Sequence, residues 1–170
     1  DRSQSQLFDL NEGIETALKI CNSQLKDGVK VTRMFADLPE ISCAPSQLNQ
    51  VFLNLITNAA QAMDGKGQIC IRTSVVDDNV EVAISDSGSG MDEETRAHIF
   101  EPFFTTKPVG KGTGLGLSIV FRIIEDHGGT IRVESELGKG TEFFIRLPIV
   151  GASKSEDVIS EQDVVVLGDA

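Results

Sequence analysis

The order of helical and strand-like patterns along the chain constrains its fold most. The clearest helical pattern covers residues 45–63, where apolar side chains recur at steps of three and four. Weaker patterns predict a helix over 10–25 and another that begins near Leu115. Period-two alternation, typical of strands, marks five segments: 29–35, 68–76, 79–86, 130–136 and 141–148. Because the last four form two hairpins with helices between them, we predict an α+β fold: a two-layer α/β sandwich whose mixed sheet carries helices on one face.

Length and charge restrict the number of domains and the classes of partner. A chain of 170 residues is long enough for one domain, and the patterned part ends at residue 148, so we predict one domain over residues 1–148. Residues 149–170 are rich in small, polar and acidic side chains, which predicts a flexible acidic C-terminal tail. The net charge of −11 argues against a surface for nucleic acid or for an anionic membrane.

Cysteine usage and the lack of a long apolar run indicate the cellular setting. The three cysteines are scattered without metal-ligand spacing, which favours reduced thiols in a cytoplasmic domain. No apolar run approaches the roughly 18 residues of a membrane span, so we expect no membrane contact by this domain. Because the chain starts with Asp, we expect a piece of a longer protein, whose own membrane attachment is left open.

The 45–63 helix carries an unusual stripe of amide side chains beside its apolar face. These are Gln47, Gln50, Asn54, Asn58 and Gln61. A solvated helix face more often carries Glu and Lys, which are better helix formers than Asn. An amide oxygen at the edge of a pocket could ligate Mg²⁺, which needs few protein oxygens. An ordinary polar edge is the alternative.

A carboxylate ends the strand-like segment 79–86 on its apolar side. Asp86 shares the parity of the apolar residues before it, and Gly88 and Gly90 follow, so backbone could approach whatever the carboxylate binds. We interpret Asp86 as the acceptor for a planar donor such as an adenine amino group; a turn that closes the strand is the alternative. Thr141, inward-facing by the same argument, could reach that ligand.

Glycine occupies every second position from 110 to 116, which is neither a P-loop nor a dinucleotide fingerprint. Thr113 could cap the following helix, and Lys107 and Lys111 add positive charge to an acidic chain. A helix start preceded by glycine backbone is a ready anion site. The stretch therefore predicts either a phosphate site or an ordinary mobile loop.

The combination and order of these motifs resemble the ATP-binding catalytic domain of sensor histidine kinases. "NQVFLNLITNAAQAM" is similar to the N box of that family, "DSGSGM" to its first glycine box, "IFEPFFTTK" to its F box, "GKGTGLGLSIV" to its second glycine box and "GKGTEF" to its last glycine motif. The resemblance runs from about Phe8 to Pro148, and the ending "NAAQAM" is most similar to the nitrogen-regulation type. It implies the Bergerat fold and the cofactors ATP and Mg²⁺.

The resemblance also implies a role for each matching residue. Asn58 would coordinate Mg²⁺ and Asn54 would help to position phosphate or water, and these two are the catalytic candidates. Asp86 would accept from the adenine amino group with Thr141 in support, and residues 104–113 would form the ATP lid. The other implied nucleotide-binding residues are Gln61, Gly88, Gly90, Met91, Phe104, Lys107, Gly112, Thr113, Gly114, Leu115, Gly116 and Leu117.

Two departures from the family pattern bear on function. Position 61 is often basic in the family but is Gln here, which removes one cationic contact. The phosphoacceptor motif is absent, since neither His98 nor His127 lies in such a pattern; surface or helix-end roles without an acid partner are expected for both. The implied function is transfer of the γ-phosphoryl of Mg-ATP to a histidine on a separate upstream domain, with a response regulator downstream. A gyrase-like ATPase and a nucleotide-sensing module without phosphotransfer are the alternatives.

Overall fold

A computed structural model describes residues 5–25, 27–105 and 116–149. Its elements, in chain order, are β1 Gln6–Phe8, α1 Leu10–Ile20, α2 Asn22–Leu25, β2 Val29–Met34, β3 Ile41–Cys43, α3 Pro45–Met63, β4 Gly67–Val76, β5 Asn79–Asp86, α4 Glu93–His98, α5 Gly116–Asp126, β6 Thr130–Glu136 and β7 Gly140–Pro148.

The main sheet has five strands in the order β2-β4-β5-β7-β6. Strands β2 and β4 run parallel, and every other neighbouring pair is antiparallel. The two predicted hairpins are β4–β5 and β6–β7, which join through the β5–β7 pair. A separate two-stranded sheet pairs β1 with β3. The predicted mixed sheet is therefore confirmed.

One face of the sheet packs against helices and the other carries charged side chains. Ile71, Ile84 and Phe143 lie in one register row on the inner face and are at most 2% exposed. Residues of α1, α3 and α5 complete the same apolar cluster. On the outer face Arg72 pairs with Glu142, and Arg132 lies over the Phe144 ring at 3.8 Å. The α/β sandwich with helices on one face is thus confirmed.

The long α3 helix forms the centre of the helical layer. Its apolar stripe is buried, with Phe52 fully buried, and it packs against both α1 and α5. Pro45 occupies its first turn, where a missing N–H costs nothing. The left-handed backbone of Asp64 (φ 53°) ends the helix just before Gly65.

Three short elements have no counterpart in the sequence predictions: β1, β3 and α4. The first two contain three residues each and α4 contains six, too few for either periodicity to stand out. The predicted 10–25 helix is broken at Cys21, so that α1 and α2 are separate. The proposed tail boundary stays a prediction, because residues 150–170 lie outside the described part. None of the described helices combines the length and apolarity needed to cross a membrane.

Candidate functional site

Asp86 is the last residue of β5, and the residue is only 9% exposed. The Gly88 N–H donates to its Oδ1 at 2.8 Å, and the backbone N–H of Thr141 on the neighbouring strand also donates to the carboxylate. Burial raises the pKa of Asp86 above its ordinary value of 3.8, against the lowering effect of these two donors. No ion pair to Asp86 occurs within the described residues. The predicted inward orientation is confirmed.

The loop after Asp86 is held tightly by protein backbone. A Cβ on Gly90 (φ 72°) would lie 2.0 Å from the carbonyl oxygen of Glu136, and one on Gly88 would lie 2.7 Å from the carbonyl oxygen of Ala62. A Cβ at either position would meet protein backbone, and the expected contact of these glycines with a ligand stays a prediction. The glycines of "DSGSGM" are therefore needed for packing of the loop.

A pair of hydroxyl groups on β6 and β7 lies beside the loop after Asp86. Ser135 Oγ donates to the Gly140 carbonyl at 3.0 Å and accepts from the Met91 N–H at 2.8 Å. Its contact of 2.8 Å with Thr141 Oγ1 must then use the Thr141 hydrogen, because Ser135 has only one to donate. Thr141 is 9% exposed and lies opposite Asp86 in the β5–β7 register. Its oxygen consequently presents lone pairs beside the carboxylate.

Helix α3 connects the Asp86 loop with α5. Asn54 Nδ2 donates to the carbonyl of Gly116, the first residue of α5, at 3.1 Å, and Gln50 Nε2 donates to Asn54 Oδ1 at 2.5 Å. Eight residues further along, the Ala62 carbonyl accepts from the Ser89 N–H at 3.3 Å. The half-buried Asn58 lies midway, on the same side of the helix at four-residue spacing. Asn54 and Asn58 thus lie along the part of α3 that extends from the start of α5 to the loop after Asp86.

The aromatic segment before residue 106 is only partly anchored. Phe100 contacts the rings of Phe121 and Phe143, and Phe104 packs against the core cluster. Phe103 is 74% exposed and has a left-handed backbone (φ 68°). The turn that packs Phe104 against the core directs Phe103 outward.

Several predicted residues lie at the margin of this arrangement or outside it. Gln61 is on the exposed side of α3, and Met91 and Leu117 are half-buried against the core. Among the remaining implied residues, Lys107, Gly112, Thr113, Gly114 and Leu115 fall outside the described part, so their roles stay predictions. His98 does have an acid partner, contrary to expectation: its Nδ1 lies 2.6 Å from Glu101 Oε2 one turn away.

Comparison with known proteins identifies the family of this arrangement. Residues 43–151 match the model of the histidine kinase-, DNA gyrase B-, and HSP90-like ATPases. The chain belongs to this family. Sensor histidine kinase ZraS of Escherichia coli K12 is 41% identical over 146 residues, which cover 85% of this chain and 31% of ZraS. The chain therefore spans about a third of that relative.

Solved structures agree with the sensor-kinase resemblance of this ATPase-family domain. The catalytic domain of histidine kinase ThkA has a TM-score of 0.77 and 33% identity, with 86% of this chain and 96% of that chain covered. Full-length ShkA in complex with AMPPNP has a TM-score of 0.77 and 29% identity, with 86% and 31% covered. ThkA has also been solved with the response regulator protein TrrA. The resemblance to sensor histidine kinase catalytic domains is confirmed, while the nitrogen-regulation type stays a prediction.

Sequence reasoning missed two side chains that organise this ATPase-family domain. Ser135 connects the loop after Asp86 with β7, and His127 connects the end of α5 with the start of α3. Ser135 follows the ordinary alternation of its strand, so nothing marks it in the sequence. His127 was expected at a helix end, but its contact with a residue 83 positions away has no local signal.

Proposed function

We propose that this domain binds Mg-ATP and transfers the γ-phosphoryl group to a histidine on a separate phosphoacceptor domain of the longer protein. The observation that carries the proposal is the buried carboxylate of Asp86. Among the described residues, only backbone N–H groups donate hydrogen bonds to it. A buried carboxylate has more acceptor positions than two N–H groups fill. A planar N–H donor is the ligand that this arrangement suits.

The adenine amino group is the donor that we assign to Asp86. The Gly88 N–H fixes one carboxylate oxygen, and the lone pairs of Thr141 lie on the adjacent strand. An amino group could therefore donate to the carboxylate, and a ring nitrogen could reach the Thr141 hydroxyl through a water molecule. This pair would orient the base at the sheet end of the pocket.

The phosphates would then extend along α3 toward α5. Asn58 lies between the adenine end and the Asn54–Gly116 contact, and its amide can supply the hard oxygen ligand that Mg²⁺ accepts. When bound, Mg²⁺ would neutralise charge on the β- and γ-phosphates. No group of three or more His, Cys, Asp or Glu suited to a metal occurs in the described ranges, so the proposed ion would bind through Asn58, phosphate and water.

Phosphoryl transfer is favoured over hydrolysis by the residue one turn before Asn58. ATPases of the gyrase type carry a glutamate there as the general base for water, whereas this chain has Asn54. An amide cannot take a proton at neutral pH, and both ends of the Asn54 amide are engaged by Gln50 and Gly116. The attacking nucleophile and its base would thus come from the phosphoacceptor domain.

The remaining partners follow from the same proposal. A response regulator would receive the phosphoryl group from the acceptor histidine. The similarity to a sensor histidine kinase and to a kinase solved with its response regulator supports this. The domain would act in the cytoplasm, where ATP is available.

Two measurements test the proposal. Calorimetric titration of the chain with ATP and Mg²⁺ should show binding that Asp86→Asn removes. Incubation with γ-labelled ATP and the upstream segment of the longer protein should place an acid-labile, alkali-stable label on that segment. Label-free phosphate release would instead indicate an ATPase, and binding with neither outcome would indicate a nucleotide-sensing module.

A further inference from the structure

His127, just after the last residue of α5, bonds in two directions. Its Nε2 accepts from the backbone N–H of Ala44 at 3.1 Å, and its Nδ1 lies 2.8 Å from the Ile123 carbonyl oxygen. Because Nε2 is an acceptor, the ring hydrogen must be on Nδ1, which donates to Ile123. The two contacts together fix both the tautomer and the orientation of the ring.

The contact between His127 and Ala44 joins the end of α5 to the start of α3, where α3 has no capping side chain of its own. Ala44 is the residue before α3, is 6% exposed and provides no capping side chain. Its buried N–H would be costly without a partner, and His127 is the partner that the structure supplies. The imidazole therefore ties the end of α5 to the start of α3.

A second polar contact joins the middle of α3 to the start of α5. Asn54 Nδ2 donates to the Gly116 carbonyl at 3.1 Å. From Ala44 to Asn54 the rise along α3 is about 15 Å, and from Gly116 to His127 along α5 it is about 16 Å, at 1.5 Å per residue. Since Ala44 faces His127 and Asn54 faces Gly116, the helices run antiparallel and the two contacts match in spacing. An axial slide of either helix would break both.

We propose that His127 is a positioning residue for the nucleotide site. It fixes the register of α5 against α3, and so holds the start of α5 beside the asparagines of α3. The inference rests on the proposed function, because the site that α5 would complete is the proposed phosphate site. His127 itself lies about 16 Å along α5 from Gly116 and would touch no nucleotide.

A pair of substitutions separates the two bonds of the imidazole. In His127→Gln the longer amide can place its oxygen near the former Nε2 and accept from Ala44, which keeps the contact between helices. In His127→Asn the shorter amide can donate to Ile123 but does not reach Ala44. Both variants are neutral and polar, so each serves as the control for the other.

The first readout needs no nucleotide. We expect the side-chain amide NMR signals of Asn54 in His127→Gln to match those of the wild type, and those of His127→Asn to move, although the mutated site is remote. The reciprocal variant, Asn54→Ala, should move the imidazole nitrogen signals of His127, which also keeps the test usable if a His127 variant does not fold. Unmoved signals in both experiments would overturn the proposal.

The second readout is the affinity for Mg-ATP, measured by calorimetry well below the melting temperature. His127→Asn should bind about two- to tenfold more weakly than His127→Gln, the range that corresponds to one neutral hydrogen bond. If the two variants bind Mg-ATP equally and His127→Asn only loses stability, His127 has a purely structural role and the positioning proposal is refuted. If the wild type binds no nucleotide, the proposed function fails, and the NMR comparison still decides whether His127 sets the register.

Discussion

The sharpest test of the site is Asp86→Asn, because the structure fixes how the new amide must orient. Oδ1 accepts from the Gly88 N–H at 2.8 Å in a buried position. The amide oxygen must stay there, since the alternative would put two donors in contact. The NH₂ group then occupies the place of the second carboxylate oxygen, where it would face the adenine amino group donor to donor, and the Thr141 N–H keeps an acceptor only at the amide oxygen.

The loss of affinity follows from this orientation. A hydrogen bond to a charged acceptor contributes about 1.5–3 kcal/mol, and a buried donor left unsatisfied costs about 1–3 kcal/mol more. The sum corresponds to a loss of at least about 50-fold in nucleotide affinity. Calorimetry with Mg-ATP measures it. Asp92→Asn is the matched control: it makes the same charge change at the exposed N-cap of α4, where Asp92 accepts from the Thr95 N–H at 2.7 Å and asparagine caps equally well.

The same variant also tests the electrostatics of the ligand-free domain. Because burial raises the pKa of Asp86 in the folded state, the protonated form is favoured there, and ionisation costs stability as the pH rises from 3.8 through the raised pKa. The neutral amide escapes that cost. At pH 7 the variant should therefore melt no lower than the wild type, and its advantage should shrink toward pH 4. An affinity within threefold of the wild type, or a clearly lower melting temperature at pH 7, would refute the reasoning.

Three further predictions concern other parts of the domain. Gly116→Ala should fold normally, because the nearest atom of the described residues to the added methyl group is 4.0 Å away, and should weaken Mg-ATP binding in calorimetry; an unchanged affinity would show that no phosphate approaches this backbone. Burial raises the pKa of Cys43 to about 11, so Ellman's reagent at pH 8 should label the more accessible Cys70 first, and faster labelling of Cys43 would contradict that burial. The Glu101 contact raises the pKa of His98 above 6.5, so Glu101→Gln should lower it in an NMR titration, and an unchanged value would show that the pair does not form in solution.

The sequence predicted the elements whose periodicity is long enough to be distinctive. Helix α3 has 19 residues, and the four hairpin strands have seven to ten, so each shows several repeats of its pattern. The inward orientation of Asp86 followed from parity alone, since residue alternation in a strand is fixed by backbone geometry. Short elements such as α4 were missed for the opposite reason.

Contacts between distant segments could not be predicted from the sequence. Ser135 has an ordinary position in its strand, and only the fold brings it beside Met91 and Thr141. Similarly, His127 bonds Ala44 because α3 and α5 run antiparallel, a relation that no local pattern specifies. The chemistry of the site could thus be proposed from residue types, whereas the side chains that hold it in place needed coordinates.

The glycines show how one sequence signal can have two physical causes. A methyl group on Gly140 (φ 109°) would lie 2.0 Å from the Asp86 carbonyl oxygen, and one on Gly90 would lie as close to Glu136, so the fold itself requires glycine at both positions. Within the described ranges a methyl group on Gly116 would meet nothing closer than 4.0 Å, although this glycine belongs to an equally regular motif. Among the described glycines, Gly116 is the one that a bound ligand explains best, because the described part of the protein leaves room for a ligand there. Gly140→Ala should accordingly impair folding and Gly116→Ala should impair binding. The same added methyl group would meet protein backbone at Gly140 and the proposed ligand at Gly116.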